Sequence, residues 1–408
     1  MACRIDGSNE EVPFLDLGFS PPSNAFLRQD QLSAPEVSYP LRLFAGRTSR
    51  LVQLKDDLPP ESLFNEDYAY FSSYSSSWLD HCARFATEII NDLSLNHDSF
   101  VLEIASNDGY MLSKFVDQGI PCLGIDPCEN VAEVARSKGV ETHVDFFGDA
   151  VGRRLAAERR SADLIIGNNV LAHVPDPNDL MAGFQAMLAP EGVISLEFPS
   201  LMNLVDELQF DTIYHEHYSY FSLLSLECLA SRHDLKVFDV TKLKTHGGSL
   251  RVSLCHQNAA RRPTTERVAE NRQGEVAAGL ERDSYYSGFQ SRVDRLKLDF
   301  LAFLIESKRE GKRVGGYGAA AKGNTLLNYC GVRPDLVPYI VDKSPHKQGL
   351  FTPGMHIPVV ELKALERDRP DFILILPWNL SEEISEELAF AREWGGVFVT
   401  AIPELRMF

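Results

Sequence analysis

From residue 100 onward, short apolar stretches alternate with helical ones, and no other feature of the 408-residue chain constrains its fold as much. "FVLEIASNDGYMLSKFVDQG" reads as strand, turn and helix, and "PCLGIDPCENVAEVARSKG" repeats that order. "ADLIIGNNVLAHVPDP" and "GVISLEFPS" add two further strands. Strands separated by helices pair in parallel, which predicts an α/β domain over residues 79–200, entered by a helix that starts near Ser75. "RVGGYGAAAKGNTLLNY" opens a second strand–turn–helix unit, followed by strands in "PYIVDKSPHKQG", "FILILPWN" and "VFVTAIPE". A second α/β domain is therefore expected over 311–408. The intervening 201–310 reads as two strands around a Gly-Gly turn, then a long polar-faced helical connector broken near Ser284 to Gly288. Residues 1–78 read as a loop-rich lobe with Pro pairs and two short strands in "YPLRLF" and "RLVQLK".

A formal net charge of −18 argues against a nucleic-acid partner, which needs a basic footprint. It leaves room for a small anionic substrate, because a few local cations suffice to bind one. No apolar run is long enough to span a membrane, and no apolar segment follows Met1-Ala2-Cys3-Arg4. Seven scattered cysteines fit reduced thiols better than a disulfide framework. The expectation is a cytoplasmic protein whose oligomeric state the sequence leaves open.

The first strand–turn–helix unit ends its strand near Glu103 and turns through Ser106, Asn107, Asp108 and Gly109. It holds one glycine rather than the G-x-G-x-x-G of a dinucleotide fold, so it suits a smaller ligand than a pyrophosphate. Asp126 ends the next strand, where an acid can hold ribose hydroxyls, and the helix start would turn its positive end to the ligand. This pattern fits S-adenosylmethionine, with an ordinary βα turn as the alternative. Asn168 and Asn169 follow the third strand at the same edge of the sheet, where ligands of α/β folds bind.

"YHEHYSY" places Tyr214, His215, Glu216 and His217 side by side. On a strand, His215 and His217 would share a face, so a metal pair is geometrically open. No neighbouring ligand cluster completes it and the H-E-x-x-H spacing is absent. Packing between domains suits Tyr218, Tyr220 and His215, whereas adjacent ionisable groups at Glu216 and His217 point to tuned protonation. The C-terminal turn "GGYGAAAKGNT" lacks the G-K-[ST] of a phosphate loop, because Gly323 follows Lys322. Its backbone amides with Lys322 can still hold a diphosphate, and Asp342 at the next strand end can meet a ribose hydroxyl. Ala319 to Ala321 serve close packing equally well, while Tyr317, Lys322 and Asn324 favour a ligand.

Across nearly its whole length the chain resembles the S-adenosylmethionine-dependent C-methyltransferases that act on nucleotide-linked keto-deoxy-sugars. The stretches that carry the resemblance are "FLDLGFSPPSNAFL", "YAYFSSYSSSW", "LEIASNDGYML", "NNVLAHVPD", "YHEHYSYFSL", "HGGSLRV", "GYGAAAKGNTLLNY" and "VDKSPHKQGLFTPGMHIPV". The resemblance implies a small N-terminal zinc module, a central Rossmann-like methyltransferase domain and a C-terminal Rossmann-like domain that helps bind the sugar nucleotide. It implies His217 as the base, Tyr214 and Glu216 beside it, and His173, Asn169 and Tyr74 lining or closing the site. It gives Glu103, Gly109 and Asp126 to the cofactor. One departure is large: the family's two C-x-x-C pairs fall here on Cys3 and Asp6 and on Gly46 and Ser49. One thiol and one carboxylate do not make the usual closed tetrahedral site, so no zinc is expected.

Carbon methylation needs a carbon nucleophile, and a sugar carbon beside a ketone supplies one as an enolate. The base must sit near the C–H with a pKa suited to neutral pH, which fits histidine. Enolate charge needs donors, for which Tyr214 and His173 are the candidates, and Glu216 can orient His217 or bind sugar hydroxyls. The expected activity is methylation of a thymidine-diphosphate keto-deoxy-sugar alpha to its ketone, at C-3 or C-5, in deoxysugar and antibiotic biosynthesis. Transfer to another nucleotide sugar or ketone, and a non-methylating nucleotide-binding or redox protein, remain the alternatives.

Overall fold

A computed structural model describes residues 2–55, 58 and 76–408. The first strands are β1 (Glu11–Ser20), β2 (Tyr39–Gly46) and β3 (Val52–Leu54). The central strands are β4 (Val101–Ile104), β5 (Cys122–Ile125), β6 (Thr142–His143), β7 (Ala162–Asn168) and β8 (Leu188–Pro199). After them come β9 (Ser219–Tyr220), β10 (Leu235–Leu243) and β11 (Ser249–His256). The last are β12 (Val314–Tyr317), β13 (Ile340–Val341), β14 (Val359–Val360), β15 (Phe372–Ile375), β16 (Val397–Thr400) and β17 (Arg406–Met407).

They build three sheets, in the orders β1-β2-β3-β9, β10-β11-β8-β7-β4-β5-β6 and β14-β13-β12-β15-β16-β17. In the central sheet β4 to β8 pair in parallel, while β11 runs antiparallel to both β8 and β10. The chain order reverses outward from β4, which opens a crevice at the carboxyl ends of β4 and β7, where such sheets bind ligands. β4 is buried at all four positions because helices cover both faces. The helix Ser76–Leu93 covers one face, packing Phe85 and Ala86 with Met111 and Phe115.

Three sequence expectations change. β1 is a ten-residue strand where only loop was expected. It contains Pro13, which cannot donate to a ladder, but β1 pairs with β2 alone and shifts register between Pro13 and Leu15. The central domain does not stop at residue 200, because β10 and β11 complete its sheet; their antiparallel entry hid them from a pattern built on parallel units. The helix after the first turn is only Ser113–Val116, so it presents no sizeable dipole to the crevice.

β9 lies directly after the Tyr-His-Glu-His run and pairs with β3, which stitches that run to the N-terminal lobe. The lobe is continuous in its core with the helix Phe289–Arg309 and the C-terminal sheet, joining Phe14, Leu43, Phe300, Leu326 and Ile340. Phe14 stacks on Phe289 with ring centroids 4.8 Å apart. Each such fully buried side chain contributes about 1.5–3 kcal/mol. Among the described residues, no helix is long and apolar enough to cross a membrane.

Candidate active site

At the crevice, the turn after β4 takes the left-handed backbone region at Ala105 (φ 55°), Asn107 (φ 49°) and Gly109 (φ 74°). Alternation of this kind turns successive N–H groups to one side and forms an anion-binding concavity. At Gly109 an added Cβ would lie 3.1 Å from both Ala135 and Val140, so a side chain there is both strained and crowded. Below the turn, Glu103 is 1% exposed, and among the described residues neither carboxyl oxygen has a hydrogen-bond partner. Burial, with Asp126 and Asp108 nearby, raises its pKa well above the ordinary value. Asn168 is buried, and among the described residues both of its side-chain polar atoms are unpartnered.

Asp126 accepts from the Asn107 amide at 2.9 Å and the Cys128 amide at 3.0 Å, which leaves lone pairs for a ligand hydroxyl. Burial pushes its carboxyl up to about 6. Buried orphan acids and an amide beside a left-handed turn fit a ligand that carries an ammonium, a sulfonium and hydroxyls. S-adenosylmethionine is such a ligand, so Glu103, Asp126 and Asn168 would hold it. Two expected contacts differ. Asp108 is bridged by Lys138 at 3.1 Å, and Ser106 packs into the space that Gly124 leaves by lacking a Cβ.

The Tyr214–His217 run is a turn rather than a strand, closed by a bond from the His217 amide to the Tyr214 carbonyl at 2.9 Å. Its two histidines therefore diverge. His215 faces Tyr39 and lies 3.2 Å from the Pro40 carbonyl, whereas His217 faces His173 at a ring-centroid distance of 4.6 Å. A metal pair across them has no shared face. His217 Nδ1 sits 2.8 Å from the Thr212 carbonyl oxygen. A carbonyl only accepts, so Nδ1 carries the proton and Nε2 the lone pair. No described residue bonds Nε2. Burial, then His173, pulls the His217 pKa well below 6.5, so the ring is neutral at physiological pH. The Tyr214 ring lies tilted against it at 34°, with centroids 4.1 Å apart.

The same logic revises two expected roles. His173 Nδ1 is 2.9 Å from the Glu216 carbonyl, so Nδ1 is its donor and is already used. Burial lowers the His173 pKa to about 4, so the ring is neutral at physiological pH with its proton on Nδ1. Glu216 does not orient His217, because the Thr212 carbonyl does. Glu216 accepts from Asn24 Nδ2 at 2.7 Å instead, and burial pushes its carboxyl up to about 7.

Asn169 (φ 55°) places its Nδ2 3.1 Å from Nε2 of His246, itself at φ 55°. An amide nitrogen only donates, so the His246 proton lies on Nδ1, and burial lowers the pKa of this ring to about 4. Two left-handed non-glycine residues bonded across the crevice store strain of the kind found at functional sites. Behind them, Glu197 accepts from Arg251 at 2.9 Å and Thr245 at 2.9 Å and faces His81 at 2.9 Å. Burial alone would raise the Glu197 carboxyl, but these partners together hold it below its ordinary value. Trp78 joins the wall, 5.1 Å from the His81 ring and 5.3 Å from His246.

From the C-terminal domain, Lys322 donates to Asn379 Oδ1 at 2.6 Å and lies 4.7 Å from the Trp378 ring centroid. It acts electrostatically on His217, His246 and Asp211, so it faces this centre. The other expected ligand contacts of that domain are turned inward. Asn324 donates to the Ser23 carbonyl at 2.7 Å, and Asp342 accepts the Ala319 and Ser344 amides, each at 2.8 Å. Tyr317 lies in the core on the sheet face that carries Ile384 and Leu388. Tyr74 lies outside the described residues.

Sequence reasoning passed over Glu197, His81, Arg251, Asp211, Trp378 and His246. For His246 the signal was present, since "HGGSLRV" carries the resemblance and its histidine is the polar member of that turn.

A central α/β sheet with this strand order, and a crevice lined by buried acids, define a Rossmann-like methyltransferase. The comparisons agree. Residues 78–240 match a "Methyltransferase domain" family, 244–403 a "C-methyltransferase C-terminal domain" family, and 3–64 a "Putative zinc binding domain" family. The C-methyltransferase NovU of Streptomyces niveus is 33% identical over 405 residues, covering 99% of this chain and 96% of that protein. The chain belongs to the S-adenosylmethionine-dependent C-methyltransferase family. A ubiquinone biosynthesis O-methyltransferase of Xylella fastidiosa is 28% identical over 133 residues, which cover 30% of this chain and 54% of that one. The magnesium protoporphyrin IX methyltransferase of Synechocystis PCC 6803 superposes with a TM-score of 0.36 at 12% identity, over 44% of this chain and 83% of that one.

The zinc implied by the N-terminal match does not fit the residues present. The positions converge, since Cys3 Sγ is 3.0 Å from Ser49 Oγ and a Cβ added to Gly46 would lie 2.9 Å from Cys3 Sγ. They supply one thiol, held by the Ser49 hydroxyl, with burial raising its pKa. Restoring the donors in an Asp6→Cys, Gly46→Cys, Ser49→Cys triple variant is expected to create a zinc site. Elemental analysis should find about one zinc per chain in the variant, and none should be retained without those thiols.

Proposed function

We propose that the protein methylates a carbon alpha to the ketone of a thymidine-diphosphate-linked keto-deoxy-sugar, at C-3 or C-5, as a cytoplasmic enzyme of deoxysugar and antibiotic biosynthesis. The observation that carries this reading is His217: a neutral ring, its Nδ1–H held by Thr212, its Nε2 lone pair open between the cofactor crevice and the C-terminal domain.

S-adenosylmethionine supplies an electrophilic methyl group. Nε2 of His217 takes the proton from the sugar carbon, and the resulting enolate is the nucleophile. A nearby cation is Lys322, which donates a hydrogen bond to Asn379. With His246 Nδ1–H it offers the donors that enolate oxygen needs, in place of His173. Glu103, Asp126 and Asn168 hold the cofactor, and Asn169 aligns His246. Tyr214 backs the base by packing against its ring. The assignment divides the chain into a lobe at 1–78, a methyltransferase domain from 79, a connector to 310 and a sugar-nucleotide domain at 311–408.

Incubation with methyl-labelled S-adenosylmethionine and a thymidine-diphosphate keto-deoxy-sugar tests this. Label is expected in a sugar product stable to acid and alkali. Label in an alkali-labile product, or none with any keto-sugar nucleotide, overturns it. A nicotinamide absorbance change would favour the redox alternative.

A further inference from the structure

The base is held by a carbonyl, and the residues on either side of that carbonyl are held by another domain. Thr212 ends the short turn Phe210–Thr212, and its carbonyl accepts from His217 Nδ1. Its neighbour Asp211 is fully buried, and its Oδ2 accepts the indole N–H of Trp378 at 2.8 Å. The other Asp211 oxygen has no partner among the described residues, so the indole N–H is the only side-chain donor it meets. Trp378 follows β15 in the C-terminal domain. It also closes flush on the turn that carries His246, since a Cβ added to Gly247 would lie 2.4 Å from its ring. A second tether comes from the helix Ala321–Cys330, whose Thr325 hydroxyl donates to the Ile213 carbonyl at 3.0 Å.

We propose that the Asp211–Trp378 hydrogen bond is a positioning latch, through which docking of the C-terminal domain fixes the 210–212 turn and so sets the tautomer and aim of His217. Neither residue touches the reacting atoms. Both act through the Thr212 carbonyl. If that carbonyl drifts, the ring is free to rotate and to place its proton on Nε2, which removes the lone pair from the reacting side. Misplacement on the scale of 1 Å costs up to about 100-fold in rate. The effect of the latch on turnover rests on His217 being the base, whereas its effect on the tautomer does not.

The test uses the full chain and three variants. Trp378→Phe keeps a ring against Gly247 but removes the donor. Asp211→Ala removes the acceptor from the other side. Asp211→Asn keeps an acceptor oxygen and loses only the charge. Turnover is measured with labelled S-adenosylmethionine and the keto-sugar nucleotide, and the His217 tautomer by nitrogen-15 NMR without substrate. W378F and D211A are expected to lose about 10- to 100-fold in turnover. Their cofactor affinity should stay near wild type, and His217 should populate both tautomers. D211N should retain turnover within about threefold and a single Nδ1–H tautomer, which a merely electrostatic role for Asp211 would not allow.

The latch is overturned if W378F and D211A keep one protected tautomer at His217, whatever their turnover, or if D211N falls as far as they do with the tautomer unchanged. If the tautomers mix as expected but His217→Ala still turns over, the latch stands and the proposed base falls.

Discussion

His217→Ala is expected to lower turnover about 100- to 10,000-fold while leaving S-adenosylmethionine affinity near wild type, because general-base catalysis is worth that much and the ring lies outside the cofactor crevice. The ring is neutral, its proton is committed to Thr212, and its second nitrogen is open. Glu216 is the residue against which this is to be judged, since its carboxyl is pushed up to about 7 and would also suit a base at neutral pH. Its bond to Asn24 points it toward the N-terminal lobe. Glu216→Gln is accordingly expected to cost about tenfold or less. Single-turnover kinetics on both variants decide the matter, and a near-silent H217A beside an inactive E216Q would transfer the role to Glu216. The pH profile offers a further check. With His217 depressed, loss of the base form begins only well below pH 6.5, whereas an acid limb near pH 7 belongs to Glu216.

The second large effect is on cofactor binding. Asp126 titrates at about 6, and Glu103 well above its ordinary value, because both are buried in a crevice with few counter-charges. A ligand with an ammonium and a sulfonium prefers their ionised forms. Its dissociation constant is therefore expected to rise as pH falls below about 6, approaching tenfold per unit while Asp126 dominates. Cofactor-free stability runs the other way. A carboxyl whose folded pKa is raised binds protons more tightly in the fold than in the unfolded chain. Its contribution worsens as pH rises from its unfolded value of about 4 to its folded value, and is constant beyond. For Asp126 that window closes at about 6. Asp126→Asn should weaken cofactor binding about 10- to 100-fold, as loss of a charged hydrogen bond does, and flatten the pH dependence. Calorimetric titrations from pH 5 to 8 measure both. An unchanged slope in D126N would assign the proton to Glu103, and a flat wild-type profile would remove the acids from the binding site.

Strand–helix alternation was legible because apolar strands buried on both faces leave continuous runs such as "FVLEI" and "ADLIIG". Chemistry carried by local pattern was legible as well. The turn before Gly109, Asp126 at a strand end and the dense polar run at Tyr214 stood out because neighbours in sequence stayed neighbours in space. β1 was not legible, since Pro13 argues against a strand unless its edge position is known. Asp211 and Trp378 were not either, because they lie 167 positions apart and mean nothing singly. The partners of Asn324 and Asp342 were not legible for a related reason. Both are polar residues near a glycine-rich turn, and only the fold brings the Ser23 carbonyl to Asn324 and the Ala319 amide to Asp342.

By itself, the sequence settled that this chain makes two α/β sheets, that its first turn holds one glycine rather than the three of a dinucleotide fold, and that three of four cysteine positions in its N-terminal lobe are lost. Those properties depend on residue type and spacing along one stretch of chain. Only the tertiary structure decided which nitrogen of His217 is basic, that the His173 proton lies on Nδ1, and that Trp378 of another domain bonds Asp211 beside the base. A tautomer is set by whichever carbonyl or amide the fold brings within hydrogen-bond distance, and here the indole that bonds Asp211, the neighbour of that carbonyl's residue, arrives from the far end of the chain.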